Sequence, residues 1–200
     1  MSNSIDFYFD FYSPYGYLAS LRIDEIAARH GRKVNWKPFM LGATFSITGH
    51  QPLTQTPMMG EYTLRDLERS ARLQSANFCM PQDFPKAALS SCRAFYVLVD
   101  DQPEQAVALA KAIYAVIFGE GRDGTDIGLI AELAGNLDIN AEALVEGIQG
   151  QPIKDRLKAE TQAAIDRGVF GSPFIFIGDE PFWGNDRLDQ VDRWLDSGGW

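Results

Sequence analysis

The sequence contains few of the residues from which redox and metal sites are usually built. It has only two cysteines, Cys79 and Cys92, and only two histidines, His30 and His50. The cysteines show neither Cys-x-x-Cys spacing nor clustering with other metal ligands, so we expect two reduced structural thiols. Two histidines are too few for a histidine-rich metal site, and no metal is predicted.

Positive charge and long apolar runs are also scarce. Lys and Arg number 18 against 27 Asp and Glu, and the formal net charge of −9 argues against a nucleic-acid or anionic-membrane partner. Residues 1–6 lack a basic region followed by an apolar run, and no later stretch is apolar over the length needed to span a bilayer. We therefore expect a cytoplasmic protein without a membrane partner.

Apolar residues, by contrast, make up 46% of the 200 residues, which is enough for one substantial core or a core with an inserted subdomain. The chain begins with a β-α-β pattern: apolar alternation over residues 5–11, a helix over 15–29 and a strand over 33–40. Pro38 near the end of that second strand indicates an edge or bulge position.

The rest of the chain changes character twice. Residues 41–62 are rich in Gly, Thr, Gln and Pro and predict a long irregular connection, whereas residues 62–149 have helical periodicity throughout. A helix over 152–167 then precedes a strand at 174–177, a return strand beginning at Phe182 and a last helix. Because a hairpin cannot join parallel strands, we interpret residues 62–149 as a helical insertion in an α/β domain formed by residues 1–61 and 150–200.

Ser13 lies where the first strand passes into the first helix. Pro14 suits the first helical position, and Ser13 then occupies the N-cap. This geometry directs the Ser13 hydroxyl and the unpaired N–H groups of the helix to one spot, which is a natural place to hold an anion. The alternative is an ordinary capping serine without a ligand.

The element order resembles the thioredoxin fold, and a helical insertion at this place resembles DsbA. In that family the proline before the third strand is cis, and Pro173 in Gly171-Ser172-Pro173-Phe174 matches it. This chain has Ser13-Pro14-Tyr15-Gly16 where the redox Cys-x-x-Cys would lie. A dithiol exchange cycle is therefore excluded.

With serine in place of cysteine, the chain resembles the 2-hydroxychromene-2-carboxylate isomerases and the related kappa-class glutathione transferases. The resemblance covers nearly the whole chain and rests on three stretches, Phe9-Asp10-Phe11-Tyr12-Ser13-Pro14-Tyr15-Gly16-Tyr17-Leu18-Ala19, Pro38-Phe39-Met40-Leu41-Gly42, and Val169-Phe170-Gly171-Ser172-Pro173 continuing to Trp183-Gly184-Asn185-Asp186-Arg187.

The resemblance implies that glutathione is bound with its sulfur near Ser13 and its cysteinyl backbone paired with the Ser172 backbone beside Pro173. Asn185 and Asp186 would receive the γ-glutamyl end. Trp183 and His50 are further candidates for contact with glutathione. Without the family, Asn185 and Asp186 are equally explained as caps of the last helix.

One departure concerns the loop after the second strand, where kappa-class relatives carry Gly-Asn and then Lys-Gly. Here the positions read Gly49-His50 and Met59-Gly60, so the lysine charge is missing. Either His50 or an arginine such as Arg65 compensates, or glutathione binds weakly.

Three functions follow as hypotheses. The leading one is a glutathione-dependent isomerase of 2-hydroxychromene-2-carboxylate or a similar aromatic ring-fission product, which acts by reversible thiolate addition. The others are a kappa-like glutathione transferase and a non-catalytic thioredoxin-fold binding protein. The resemblance further implies a homodimer.

The substrate cavity is expected between the Ser13 junction, residues 41–62 and the helical block. Tyr12, Tyr15, Phe39 and Phe45 would lie either in its walls or in the core. The carboxylate of the substrate would be held by an arginine, and the candidates are Arg65, Arg69 and Arg93.

Overall fold

The structure, a computed structural model, describes residues 4–200. Its sheet has the strand order β2-β1-β3-β4, in which β1 is parallel to β2 and antiparallel to β3, and β3 is antiparallel to β4. Of the edge or bulge position expected for the strand containing Pro38, the edge is confirmed, since β2 lies at one end of this strand order. The strands are β1 (Ser4–Phe9), β2 (Lys33–Pro38), β3 (Phe174–Ile177) and β4 (Glu180–Trp183).

Both faces of β1 are buried. Ile5, Phe7 and Phe9 enter the main core, where Phe9 contacts Trp36 and Tyr114. Tyr8 points to the opposite face and packs against Phe39 and Phe176 in a second, smaller core. A strand covered on both sides is typical of a sheet flanked by helices, so β1 forms the centre of the molecule.

The helix predicted over residues 15–29 is two helices, α1 (Pro14–Ser20) and α2 (Ile23–Arg29). The Ser20 hydroxyl donates to the Tyr17 carbonyl at 2.6 Å, and such back-bonding competes with helix continuation. Leu21, at the break, is half exposed although apolar.

The prediction of an irregular connection over residues 41–62 is also wrong in part. It contains α3 (Gly42–Thr48) and a 3-10 turn (Leu53–Gln55), and α4 (Met59–Leu73) begins inside it. Gly49 ends α3 in the left-handed conformation with φ 71°, so the glycines that suggested a loop instead delimit a short helix.

The helical block contains a long non-helical segment, although helical periodicity was expected throughout residues 62–149. Residues 74–88 are non-helical and include a cis peptide bond before Pro85. The predicted caps are confirmed: Asp126 accepts from the Gly128 N–H at 2.8 Å and Asn140 from the Ala143 N–H at 3.0 Å. The remaining helices are α5 (Leu89–Leu98), α6 (Pro103–Tyr114), which continues as a π turn (Ala115–Gly119), α7 (Ile127–Gly135), α8 (Ala141–Gln149), α9 (Gln151–Asp166) and α10 (Leu188–Ser197).

The predicted boundary between residues 61 and 62 falls inside α4, and the one between 149 and 150 falls between α8 and α9. The division into an α/β domain and an insertion remains a prediction. None of the helices within residues 4–200 has the length and apolar character required to cross a membrane.

Candidate functional site

The Ser13 hydroxyl lies at the junction between β1 and α1 and makes two hydrogen bonds. Its Oγ accepts from the Gly16 N–H at 3.0 Å, which confirms the predicted N-cap, and it donates to the Ser172 carbonyl oxygen at 2.7 Å. The Ser13 N–H in turn donates to the Asp10 carbonyl at 2.9 Å and closes the turn. Ser13 is therefore fixed against the loop that precedes β3.

That loop carries Ser172 and Pro173, joined by the cis peptide bond that the resemblance implied. The Ser172 hydroxyl accepts from the Asp10 N–H at 2.9 Å, and the buried Tyr114 hydroxyl donates to the Asp10 carbonyl at 2.8 Å. These bonds tie the Ser13 turn, the cis-proline loop and the helical block together. They position the Ser13 and Ser172 oxygens side by side.

Asp10 is the buried carboxylate behind this junction. Its two oxygens accept from the Tyr12 and Leu41 N–H groups, each at 2.8 Å. Burial raises the pKa of Asp10 to about 6, because desolvation disfavours the charged form more than the two N–H donors favour it. Asp10 thus joins the Ser13 turn to the segment that begins α3.

A cavity of about 770 Å³ opens in front of Ser13 and Ser172. Tyr12, Tyr15 and Phe45 line it, as predicted. Phe39 lies in the core, which is the second of the two alternatives given for these aromatic residues, since its ring is fully buried and packs against Tyr8.

Trp183 forms part of the same wall and packs edge-on against Phe170 with ring centroids 4.9 Å apart. Gly171 is needed there because a Cβ at this position would overlap the Trp183 indole. His50 also lines the cavity, with an exposed side chain, and so does Met59, the residue at the position of the family lysine.

Asn185 and Asp186 do not line this cavity. Asn185 is buried and its Oδ1 accepts from Gln74 Nε2 at 3.2 Å, whereas Asp186 is exposed and pairs with Arg187 at 2.9 Å. Neither side chain caps α10, which starts after a 3-10 turn (Asn185–Arg187), so the capping interpretation is wrong. Their proposed contact with a γ-glutamyl group remains a prediction.

The three candidate arginines lie outside the lining of the cavity, and Arg69 is already paired with Asp66. The cation that does line it is Lys86, which the sequence reasoning missed. Lys86 follows Phe84 and the cis Pro85 in the non-helical segment 74–88. The helical periodicity expected throughout residues 62–149 carries no signal that this lysine lines the cavity.

Within residues 4–200, no group of three or more His, Cys, Asp or Glu side chains is arranged to hold a metal ion. Cys79 and Cys92 are free thiols, one exposed and one buried. The chemistry available at the site is therefore that of hydroxyls, backbone groups, Asp10, His50 and Lys86 around an aromatic cavity.

Residues 4–196 match the family model described as DSBA-like thioredoxin domain. The fold and the cis-proline junction thus define a DsbA-like thioredoxin-fold protein, with serine where the redox cysteine would be.

The chain is 32% identical to a 2-hydroxychromene-2-carboxylate isomerase of Sphingobium xenophagum over 98% of this chain and 99% of that protein. A solved structure of a 2-hydroxychromene-2-carboxylate isomerase superposes with a TM-score of 0.87 at 29% identity, covering 96% of this chain and 94% of the other. The rat glutathione S-transferase kappa 1 is 25% identical over 96% of this chain and 92% of its own length. The chain belongs to the 2-hydroxychromene-2-carboxylate isomerase family and is an enzyme of that isomerase type.

Proposed function

We propose that this enzyme isomerises 2-hydroxychromene-2-carboxylate or a similar aromatic ring-fission product with the help of glutathione. The observation that carries the proposal is the Ser13 hydroxyl, which stands beside the Ser172 carbonyl at the head of an aromatic cavity. Glutathione would supply a thiolate whose reversible addition turns a conjugated double bond into a single bond that can rotate. The protein holds the sulfur and the substrate in position.

The hydrogen bonding of Ser13 supports a role in binding a thiol ligand. The Ser13 hydroxyl donates to a neutral carbonyl, and it can turn about a single bond toward a sulfur. A hydrogen bond to a charged group contributes about 1.5–3 kcal/mol, compared with about 0.5–1.5 kcal/mol for a neutral one. The exchange therefore favours the thiolate over the thiol. α1 is only seven residues long, so the hydroxyl rather than the helix dipole supports this role.

The Ser172 carbonyl retains a second lone pair for the cysteinyl N–H of an extended tripeptide, in the manner of an added strand. Gly171 and Pro173 on either side shape this loop, and Trp183 and His50 would flank the ligand. Asn185 and Asp186 would receive the γ-glutamyl end beyond the cavity. We further expect a cytoplasmic homodimer.

Glutathione binding measured by calorimetry tests this proposal, together with ultraviolet titration of the bound thiolate. For wild type we expect saturable binding and a thiolate pKa below that of free thiols. Ser13→Ala should raise that pKa by about one unit, because loss of one charge-assisted hydrogen bond costs at least about 1.4 kcal/mol. Turnover should fall about tenfold or more in parallel.

Ser20→Ala is the matched control, since this buried serine also donates to a backbone carbonyl but lies at the far end of α1. It should leave the thiolate pKa unchanged. Absence of binding at millimolar glutathione would refute the proposal. Equal thiolate pKa values for wild type and Ser13→Ala would remove Ser13 from the mechanism.

A kappa-like glutathione transferase is the second candidate, and the rat kappa relative favours it. The two reactions differ in the fate of glutathione: an isomerase returns it after each turnover, whereas a transferase consumes it. Thiol titration during turnover therefore distinguishes them. Constant thiol with complete substrate conversion supports the isomerase.

A further inference from the structure

Lys86 stands in a wall shared by two cavities. One is the 770 Å³ cavity in front of Ser13, and the other is a smaller cleft of about 320 Å³ lined by acidic residues that include Glu120 and Asp123. Among the described residues that line the larger cavity, Lys86 is the one lysine or arginine. Its side chain is about one-third exposed, so the ammonium is reachable from solvent.

Two carboxylates hold the Lys86 ammonium, and they differ in how firmly they are fixed. Asp123 Oδ2 lies 2.7 Å from Nζ, and its other oxygen accepts from the Tyr12 hydroxyl at 3.1 Å and from the Thr125 hydroxyl at 2.7 Å. Asp83 lies 3.2 Å from Nζ, and its side chain is 77% exposed. Asp123 is therefore a fixed partner and Asp83 an exchangeable one.

An aromatic surface adjoins this ammonium. The Tyr12 and Phe84 rings are stacked with centroids 6.1 Å apart and an interplanar angle of 25°, and both residues line the larger cavity. Tyr12 is held by the same Asp123 that holds Lys86. A planar ring packed against Tyr12 and Phe84 would therefore lie beside the Asp123–Lys86 pair that the Tyr12 hydroxyl contacts.

We propose, on the basis of the proposed function, that Lys86 receives the carboxylate of the aromatic substrate, which takes the place of Asp83 while Asp123 stays bound. The net charge of the Lys86, Asp83 and Asp123 side chains requires that Asp83 leave when the substrate carboxylate binds. With both aspartates the cluster carries a net charge of −1 and repels an anion, whereas release of Asp83 to solvent leaves a neutral pair with a free donor on the ammonium. Lys86 is then the residue that selects substrates bearing a carboxylate.

Binding of an unreactive aromatic acid, chromone-2-carboxylate, and of its uncharged carboxamide tests this role by calorimetry. Lys86→Met should weaken binding of the acid about tenfold and leave binding of the amide unchanged, as expected for the loss of one partly exposed charge-assisted hydrogen bond. Lys86→Arg should retain most of the affinity for the acid. Equal weakening of acid and amide by Lys86→Met would overturn the proposal, because it would indicate a disturbed cavity rather than a lost charge contact.

Asp83→Asn provides a second test, in which the affinity for the acid should rise rather than fall. Removal of the exchangeable partner should strengthen binding of the acid about two- to threefold without affecting the amide, and a misfolded variant cannot produce that gain. Unchanged or weaker binding of the acid would refute the exchange. Arg65→Met is the matched cation control outside the cavity and should leave both affinities as in wild type.

Glutathione binding to the same variants separates the two possible sources of the carboxylate. We expect its affinity to be unchanged in Lys86→Met. If that variant loses glutathione affinity and keeps affinity for the aromatic acid, Lys86 belongs to the glutathione subsite and the proposal fails. The chromone measurements need no turnover, so absence of glutathione-dependent activity would refute the proposed function without deciding the role of Lys86.

Discussion

Gly16→Ala is expected to destabilise the protein by about 3 kcal/mol, although alanine is the better helix former by about 1 kcal/mol. Gly16 lies in α1, and a Cβ there would stand 2.6 Å from the Tyr114 hydroxyl oxygen and 3.0 Å from the Ser172 Oγ. Tyr114 is fully buried and hydrogen-bonded to the Asp10 carbonyl, so it cannot withdraw. Chemical denaturation at neutral pH measures the effect.

Two further variants identify the cause of that loss. Gly135→Ala, in α7 with open space around the position, should be neutral or stabilising by up to about 1 kcal/mol. Tyr114→Phe removes the oxygen that the new methyl group would meet, so Gly16→Ala should cost at least about 1 kcal/mol less in that background. If Gly16→Ala proves as harmless as Gly135→Ala, the close approach of α1 to Tyr114 is incorrect.

The features around Ser13 could be predicted because they depend on residues that are neighbours in sequence. Alternation along β1, Pro14 at the first helical position and Ser13 at the N-cap are local patterns, and each is present in the structure. The cis bond at Pro173 was inferred from resemblance, since local sequence alone does not specify it.

The features that were missed depend on the paths of segments without regular periodicity. Lys86 lines the cavity from the non-helical segment 74–88, and no repeat pattern in the sequence marks that segment. The sequence left open whether Phe39 lines the cavity or belongs to the core, and in the structure it packs against Tyr8 in the smaller core. Asp10 is a polar position in the alternation over residues 5–11, and its buried role arises from contacts with Leu41 and Ser172 far along the chain.

Asp10 is expected to make the protein less stable as the pH rises. Its pKa is 3.8 in the unfolded reference and about 6 in the folded state, so the folded state binds the proton more tightly. The resulting stabilisation is complete below pH 3.8 and is lost as the pH rises through 6, which amounts to about 3 kcal/mol. Unfolding free energies of wild type and Asp10→Asn between pH 4 and 7.5 measure it. The advantage of wild type over the variant should decrease by most of that amount.

Asp123→Asn is a control for which the stability difference from wild type should change with pH in the opposite direction. Partial burial acts to raise the pKa of Asp123, but hydrogen bonds from Lys86, Thr125 and Tyr12 outweigh it and hold that pKa below its usual value. The contribution of Asp123 is therefore present above its unfolded pKa and lost as the pH falls, so the advantage of wild type over Asp123→Asn should shrink toward acid. A difference between wild type and Asp10→Asn that stays constant within about 0.5 kcal/mol would contradict a buried, proton-binding Asp10. If the unfolding free energy falls with pH as predicted, the ionised Asp10 lowers the stability of the protein at neutral pH. Its hydrogen bonds to the Tyr12 and Leu41 N–H groups nevertheless hold the Ser13 turn against the segment before α3.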